Sequence, residues 1–364
     1  MRRTLKEGIL AQAKTKEQKS GEQMQPIKYH VRLLVALLVL SLLTGVSVHA
    51  AGTDDLRLYP GGMPFGVRVQ TKGVLVVGLS KVECADGVVE PAARAGLCAK
   101  DQILAINDAS VHTVEEVTAQ IEGSGGAPLR LTVCRGEDEL SLTLKPALAK
   151  ADGKYRAGIW LRDSAAGIGT VSFIFPETGM FAGLGHGICD SDTGELMPLA
   201  RGMVTDVNIV GVHKGKSGHP GELRGVFCTG KRGTLLSNTT TGVYGVFSQI
   251  PETVPVSEPM AVLPAEALTE GAAQIYCTVG DTIGKYDVRI SKINQSAETK
   301  NFVVEVTDPR LLAITGGIVQ GMSGSPVVRD GKLIGAVTHV LINDPTRGYG
   351  ITVASMLKNM KALG

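Results

Sequence analysis

The chain has 364 residues, 43% of them hydrophobic and 20% charged, with a formal charge of +2. That balance supplies the cores of two or three domains and excludes a disordered chain, and no basic run interleaved with aromatics outside the amino-terminal tail points to nucleic acid as a partner. The 46 glycines against 4% aromatics favour short strands with tight turns over long helices.

Residues 1–30 form a polar tail carrying Arg2, Arg3, Lys6, Lys14, Lys16, Lys19 and Lys28, and residues 31–51 are almost wholly apolar. A stretch of that length spans a bilayer, and the basic residues before it hold the tail in the cytoplasm and send the body outward. Val48-His49-Ala50 resembles a cleavage site, so the segment is a cleaved signal peptide or a retained single-pass anchor. The long tail favours the anchor. Cysteines at 84, 98, 134, 189, 228 and 277 show no C-x-x-C pair and no histidine at zinc spacing, so no metal is expected; export leaves disulfides and buried thiols both open.

From residue 59 to about 150 the pattern is that of a peptide-binding module. A glycine-rich loop, Tyr59 to Gly66, opens onto Val67-Arg68-Val69 and the apolar run Val74 to Gly78; a short helix follows over Glu90 to Leu97, then the strand of Lys100 to Asp108. Val114, Val117 and Ile121 fall at helical spacing, and Leu129–Val133 and Leu140–Leu144 alternate as strands. The run P-A-x-x-A-G-L-x-x-x-D-x-I-L-x-I-N from Pro91 resembles a PDZ domain. That resemblance implies capture of an extended peptide or chain terminus along a strand edge, with Met63, Pro64, Phe65 and Gly66 as the carboxylate-holding loop.

Residues 145–154 lack periodicity and read as a linker. Beyond it, from residue 155 to 364, short β-rich runs recur: Gly169–Phe175, Gly202–Val212, Gly225–Cys228, Gly242–Phe247, Ala273–Val279, Tyr286–Ile293 and Phe302–Thr307. Such spacing predicts a sandwich or barrel. Gly183 to Asp190 sets His186 among small residues, a place for a general base at a barrel seam. His213 and His219 sit in a polar, glycine-rich loop and read as solvent-exposed.

Asp308, followed by Pro309 and Arg310, is a candidate third catalytic residue, with a cap or an ion pair to Arg310 as its structural alternative. Asp190, Asp192 and Asp206 are its rivals. Gly321-Met322-Ser323-Gly324-Ser325-Pro326 then places a serine on a tight turn whose glycines let the N–H groups of Gly321 and Ser323 converge as an oxyanion hole. Flanking apolar runs, Ile314–Val319 and Val327–Thr338, read as strands, the second broken by a turn at Arg329–Lys332. With His186 upstream, the pattern fits a chymotrypsin-like double β-barrel serine peptidase, mainly β, behind the PDZ module. His339, on the strand after the serine, is a candidate for the specificity pocket.

His186 in G-L-G-H-x-I-x-D, the run from Asp308 through Thr315-Gly316-Gly317 to Pro326, and Gly335 to Val340 with Asn343-Asp344-Pro345-Thr346 resemble the SpoIVB peptidase family of endospore-forming bacteria. The resemblance implies Ser323 as nucleophile, His186 as base and Asp308 as catalytic aspartate, and no cofactor. It also implies a protein secreted into the forespore intermembrane space that cleaves itself near its amino terminus. There it cuts a regulatory membrane protein, so releasing processing of a sigma-factor precursor. The competing reading is a non-catalytic, membrane-tethered PDZ adaptor. A general envelope quality-control protease places its PDZ after the protease, the reverse of the order here.

Overall fold

The computed structural model describes residues 56–360, so the expected basic tail and membrane segment lie outside the described residues. Among the described residues, no helix is long and apolar enough to cross a membrane.

The first strands are β1 (Arg57–Pro60) and β2 (Pro64–Leu79), the latter sixteen residues long. Helix α1 (Pro91–Arg94), β3 (Gln102–Ile106), helix α2 (Val114–Gly123), β4 (Leu129–Arg135) and β5 (Asp138–Leu144) follow. Thr113 and Glu116 form a capping box at the start of α2, the reciprocal arrangement that satisfies two orphan N–H groups. Next come β6 (Ile159–Ile174), β7 (Met180–Gly183), β8 (Leu199–His213), β9 (Glu222–Phe227), β10 (Gly233–Thr239) and β11 (Gly242–Phe247). The last third holds β12 (Gly271–Thr278), β13 (Ile283–Ser291), β14 (Phe302–Val306), helix α3 (Pro309–Thr315), β15 (Pro326–Arg329), β16 (Lys332–Leu341), β17 (Asp344–Thr352) and helix α4 (Val353–Met360).

Two antiparallel barrels result. In the first, the pairings run β6–β7–β11–β10–β8–β2 and return to β6. Its core holds Phe65, Val67, Val69, Phe181, Val204, Leu235 and Phe247. The second closes in the order β12-β13-β14-β17-β16-β15 around Ile275, Val288, Phe302, Val304, Ile334 and Val337. Helix α4 lays Met356 against Tyr244 of the first barrel and Ile351 of the second, in one shared cluster. The PDZ module has its own core of Val74, Val76, Ile103, Val117, Ile121 and Leu131.

β2 and β6 belong to both the first barrel and the PDZ sheet. From Pro64 to Gln70, β2 pairs with β6 inside the barrel; from Leu75 to Leu79 it pairs with residues 159–162 of the same strand inside the PDZ sheet. The register slips between Arg162 and Ser164, and a bulge there bends the strand where the two bodies meet. This corrects the expected carboxylate-holding loop. Met63 and Phe65 are 6% and 1% exposed in the barrel core, and Pro64 and Gly66 pair with β6, so the four residues line no groove. The apolar alternation read there as a module's first strand is that of a barrel strand.

Two further expectations change. Residues 145–154 are a turn whose ends pair, Ala147 with Arg156 and Leu148 with Tyr155, and not a free linker. Pro309 to Thr315 is helical, with Asp308 as N-cap and Gly316 in the left-handed conformation at the C-cap, so Ile314 stands on a helix and not on a strand. All six cysteines are free thiols, Cys277 fully buried.

Candidate active site

The turn from Gly321 to Pro326 is held from several sides. Met322 N–H donates to Val319 O, Ser325 N–H and hydroxyl both donate to Met322 O, and Gly324 N–H donates to Val337 O. Thr170 of β6 clamps it from the first barrel: its N–H donates to Ser323 O at 2.9 Å and its hydroxyl to Gly321 O at 2.8 Å. Gly324 has φ +98°, and a Cβ on it would stand 1.9 Å from Thr170 O. Only glycine allows the turn to meet β6 so closely. Among the described residues, the N–H groups of Gly321 and Ser323 have no acceptor, and both residues line a cleft of about 760 Å³. Two unpaired N–H groups beside a serine are what a developing oxyanion requires.

His186 lines the same cleft, carried on the loop that follows β7. That loop is tied to β6 by Leu184 N–H, which donates to Thr170 O at 3.2 Å. His186 Nδ1 lies 2.8 Å from Gly187 O; a carbonyl can only accept, so Nδ1 bears the proton and Nε2 is left as the base. Burial lowers its pKa below the usual histidine value, partly opposed by that carbonyl bond. The imidazole is therefore neutral and basic at neutral pH.

Ser323 Oγ donates to Thr338 O at 2.5 Å. In this state the hydroxyl is engaged by that carbonyl and not by His186; catalytic hydrogen bonds are often incomplete without substrate. His339 joins the cleft, its ring centroid 4.6 Å from that of His186. Desolvation, then His186 and Lys300, lower its pKa to about 4.

Asp308 is not brought to His186. Its carboxylate binds the Arg310 guanidinium at 2.7 Å and accepts from the N–H groups of Asp287, Arg310 and Leu311. It is 2% exposed at the start of α3. Arg310 first, then those backbone N–H groups, hold it far below the ordinary carboxylate range against the cost of burial. The sequence read it as a catalytic aspartate; the structure spends its oxygens on capping. Asp308 caps α3, the helix that precedes the nucleophile turn in the chain. Its rivals are engaged elsewhere, Asp190 and Asp192 with Arg162 and Asp206 with Arg232. Among the described residues, no carboxylate bonds to His186, and the Gly187 carbonyl holds the orienting position.

Three contributors were not marked in the sequence: Thr170, Thr338 and the Gly187 carbonyl. Two act through backbone atoms, which carry no residue signature, and the threonine lies in an ordinary β-branched run.

Residues 153–357 match the profile of the family described as SpoIVB peptidase S55, and residues 87–135 that of a PDZ domain. No curated protein matches the chain. Among solved structures, the PDZ domain of the SdrC-like protein from Listeria monocytogenes is similar at 23% identity, over 26% of this chain and 90% of its own, with a TM-score of 0.21. The active form of the Rv3671c protease from M. tuberculosis is similar at 16% identity, over 55% of this chain and 75% of its own, with a TM-score of 0.32. Its inactive form gives 15% identity, 54% and 84% coverage, and a TM-score of 0.31.

Proposed function

The chain belongs to the SpoIVB peptidase S55 family and is a serine endopeptidase that carries a PDZ domain; from that premise we propose that Ser323 is its nucleophile, His186 its general base, and the N–H groups of Gly321 and Ser323 its oxyanion hole. The observation that carries this reading is the single cleft that gathers Ser323, His186 and Gly321 between two barrels. His186 Nε2 takes the hydroxyl proton as Ser323 Oγ attacks a peptide carbonyl, and the two N–H groups receive the charge that develops on its oxygen. The imidazolium then returns its proton to the leaving amine, and water releases the acyl group by the same steps. The Gly187 carbonyl keeps the imidazole in the tautomer this sequence needs.

The substrate is an extended polypeptide. The PDZ groove runs between α2 and the outer edge of β6 from Ile159 to Asp163, in place of the loop expected at Met63–Gly66. The amino-terminal pattern supports a membrane-tethered or secreted body outside the cytoplasm, with residues 31–51 as the membrane segment. The family resemblance supports a role in the forespore intermembrane space, where cutting of a regulatory membrane protein, accompanied by self-cleavage, starts sigma-factor precursor processing.

The test is the full chain in detergent, wild type beside Ser323→Ala, followed by intact mass over time and by incubation with a proteome-derived peptide library. Cleavage of self or of peptides by wild type alone is expected. Folded, inert protein in both tubes would favour the non-catalytic adaptor.

A further inference from the structure

β6 has one edge in use and one largely free. Its inner edge pairs with β2 from Ile159 to Thr170, and its outer edge takes β7 only from Val171 onward. Among the described residues, no other segment pairs with the outer edge between Ile159 and Gly169. Val171 points its N–H and C=O inward, to Met63 O and Gly62 N, whereas Thr170 points its own outward, to Ser323 O and Leu184 N. The register with β2 is unbroken from Ser164 to Thr170, and backbone groups alternate along a strand. The N–H and C=O of Ile168, Ala166 and Ser164 therefore face outward. All three residues line the cleft that holds Ser323, and its far wall is Ile318, Val319 and Val340 from the second barrel.

Past the bulge, the same edge runs beside α2. Asp163 Oδ2 accepts from Val114 N–H at the start of that helix. At its other end, a Cβ on Gly126 would touch Tyr155, just before β6. α2 thus lies antiparallel to β6, and Arg162 and Ser164, on either side of Asp163, line the catalytic cleft.

We propose that the catalytic cleft and the PDZ groove are one continuous strand-addition site, filled by the substrate polypeptide that follows the scissile bond. The inference rests on the serine peptidase reading above. The side of the bond follows from proton transfer, because the group that protonates the leaving amine must face the amine half of the substrate. His186 hangs from the first barrel on a loop bonded to Thr170. The oxyanion donors and the acyl half belong to the second barrel. The leaving half then crosses β6 from Thr170 toward Ile159, antiparallel to it, the better-bonded orientation. At about 3.3 Å per residue, roughly eight to ten residues after the cut reach the groove beside α2. The module thereby counts residues from the cut as well as gripping the substrate.

The experiment uses the full chain in detergent and a proteome-derived library of peptides of about 30 residues, with every cut product sequenced. A synthetic series then takes one efficiently cut peptide and shortens it separately on each side. The expected result is a requirement for about eight residues after the cut and no such requirement before it, with kcat/KM falling about tenfold or more when only three remain. N-methylation at alternate residues of the trailing segment, sequence unchanged, is expected to reproduce that loss with a period of two. Cutting that is indifferent to the trailing length, a length requirement on the preceding side, or an aperiodic methylation profile would each overturn the proposal. Absence of any cutting by wild type would instead remove the peptidase reading on which it stands.

Discussion

The rings of His186 and His339 lie 4.6 Å apart between centroids, tilted by 36°, inside the cleft that Ser323 lines. After desolvation, His186 is the next cause that disfavours a charge on His339. His186 acts as a base only when neutral, and burial lowers its pKa, so activity persists as pH falls through about 6.5 and is lost only below it. In His339→Ala, water gains a face of His186 and the acid limb of kcat/KM is expected to move up toward the ordinary histidine value. A pH–rate profile of both proteins checks this; an unmoved limb would leave His339 with substrate contact as its remaining role.

Asp308 is expected to behave as a cap and not as a triad member. Asp308→Ala removes two helix-capping bonds and the partner of the exposed Arg310 guanidinium, a cost of about 1–3 kcal/mol with the ion pair discounted for solvent screening. Thermal stability and activity should fall together, whereas Asp308→Asn keeps an acceptor for the α3 N–H groups and should keep much of both. Loss of a true triad aspartate costs about 10⁴-fold in kcat even where the fold is intact, so an Asn variant that is stable yet inactive at that level would reverse this assignment. The folded carboxyl is depressed by Arg310 and backbone N–H groups. Its contribution to stability is therefore complete above the unfolded value near 4 and declines as pH falls below it.

Gly324→Ala is expected to be among the most damaging single-methyl changes in the chain. The added carbon would meet Thr170 O at 1.9 Å and Leu184 N at 2.6 Å, on a residue with φ +98°. Those two atoms belong to β6 and the histidine loop, so relief of the clash separates nucleophile from base. Gly331→Ala, with φ +71° and nothing within 4 Å, carries backbone strain alone, about 1–2 kcal/mol. Melting curves and peptide cleavage measured on both would separate steric from backbone effects.

The chemistry-bearing loops were legible in the sequence because they depend on local rules. A serine between turn glycines, a histidine among small residues and the PDZ-like run from Pro91 each declare themselves within a dozen residues. Non-local facts were not. Nothing in the alternation of Val67, Val69, Val74 and Val76 says that the first pair enters a barrel core and the second a PDZ core, because burial on one face looks alike in either sheet. In the sequence Asp308 fits catalysis or capping alike, and the N–H groups of Arg310 and Leu311 that converge on it, which favour the cap, belong to the folded helix start. The profile match beginning at residue 153 also starts after β2, the strand that closes the first barrel.

Arg162 ties the junction of the two bodies to the histidine loop. It stands on β6 beside the bulge, binds Asp192 at 2.6 Å and pairs with Asp190, whose side chain is fully buried. Burial alone would raise the Asp190 carboxyl; the N–H and hydroxyl of Thr193, Asp192 N–H and Arg162 together hold it below its usual value. Arg162→Met leaves that buried charge with neutral donors only, a loss of about 2–3 kcal/mol after allowance for the partly exposed guanidinium. The strain falls on residues 190–193, immediately after His186, so kcat should drop more than thermal stability alone accounts for. Asp190→Asn in the same background removes the unpaired charge and should restore part of both. If that double variant stays as impaired as Arg162→Met, the ion pair is not what holds the loop, and the arginine acts through its contact with the cleft.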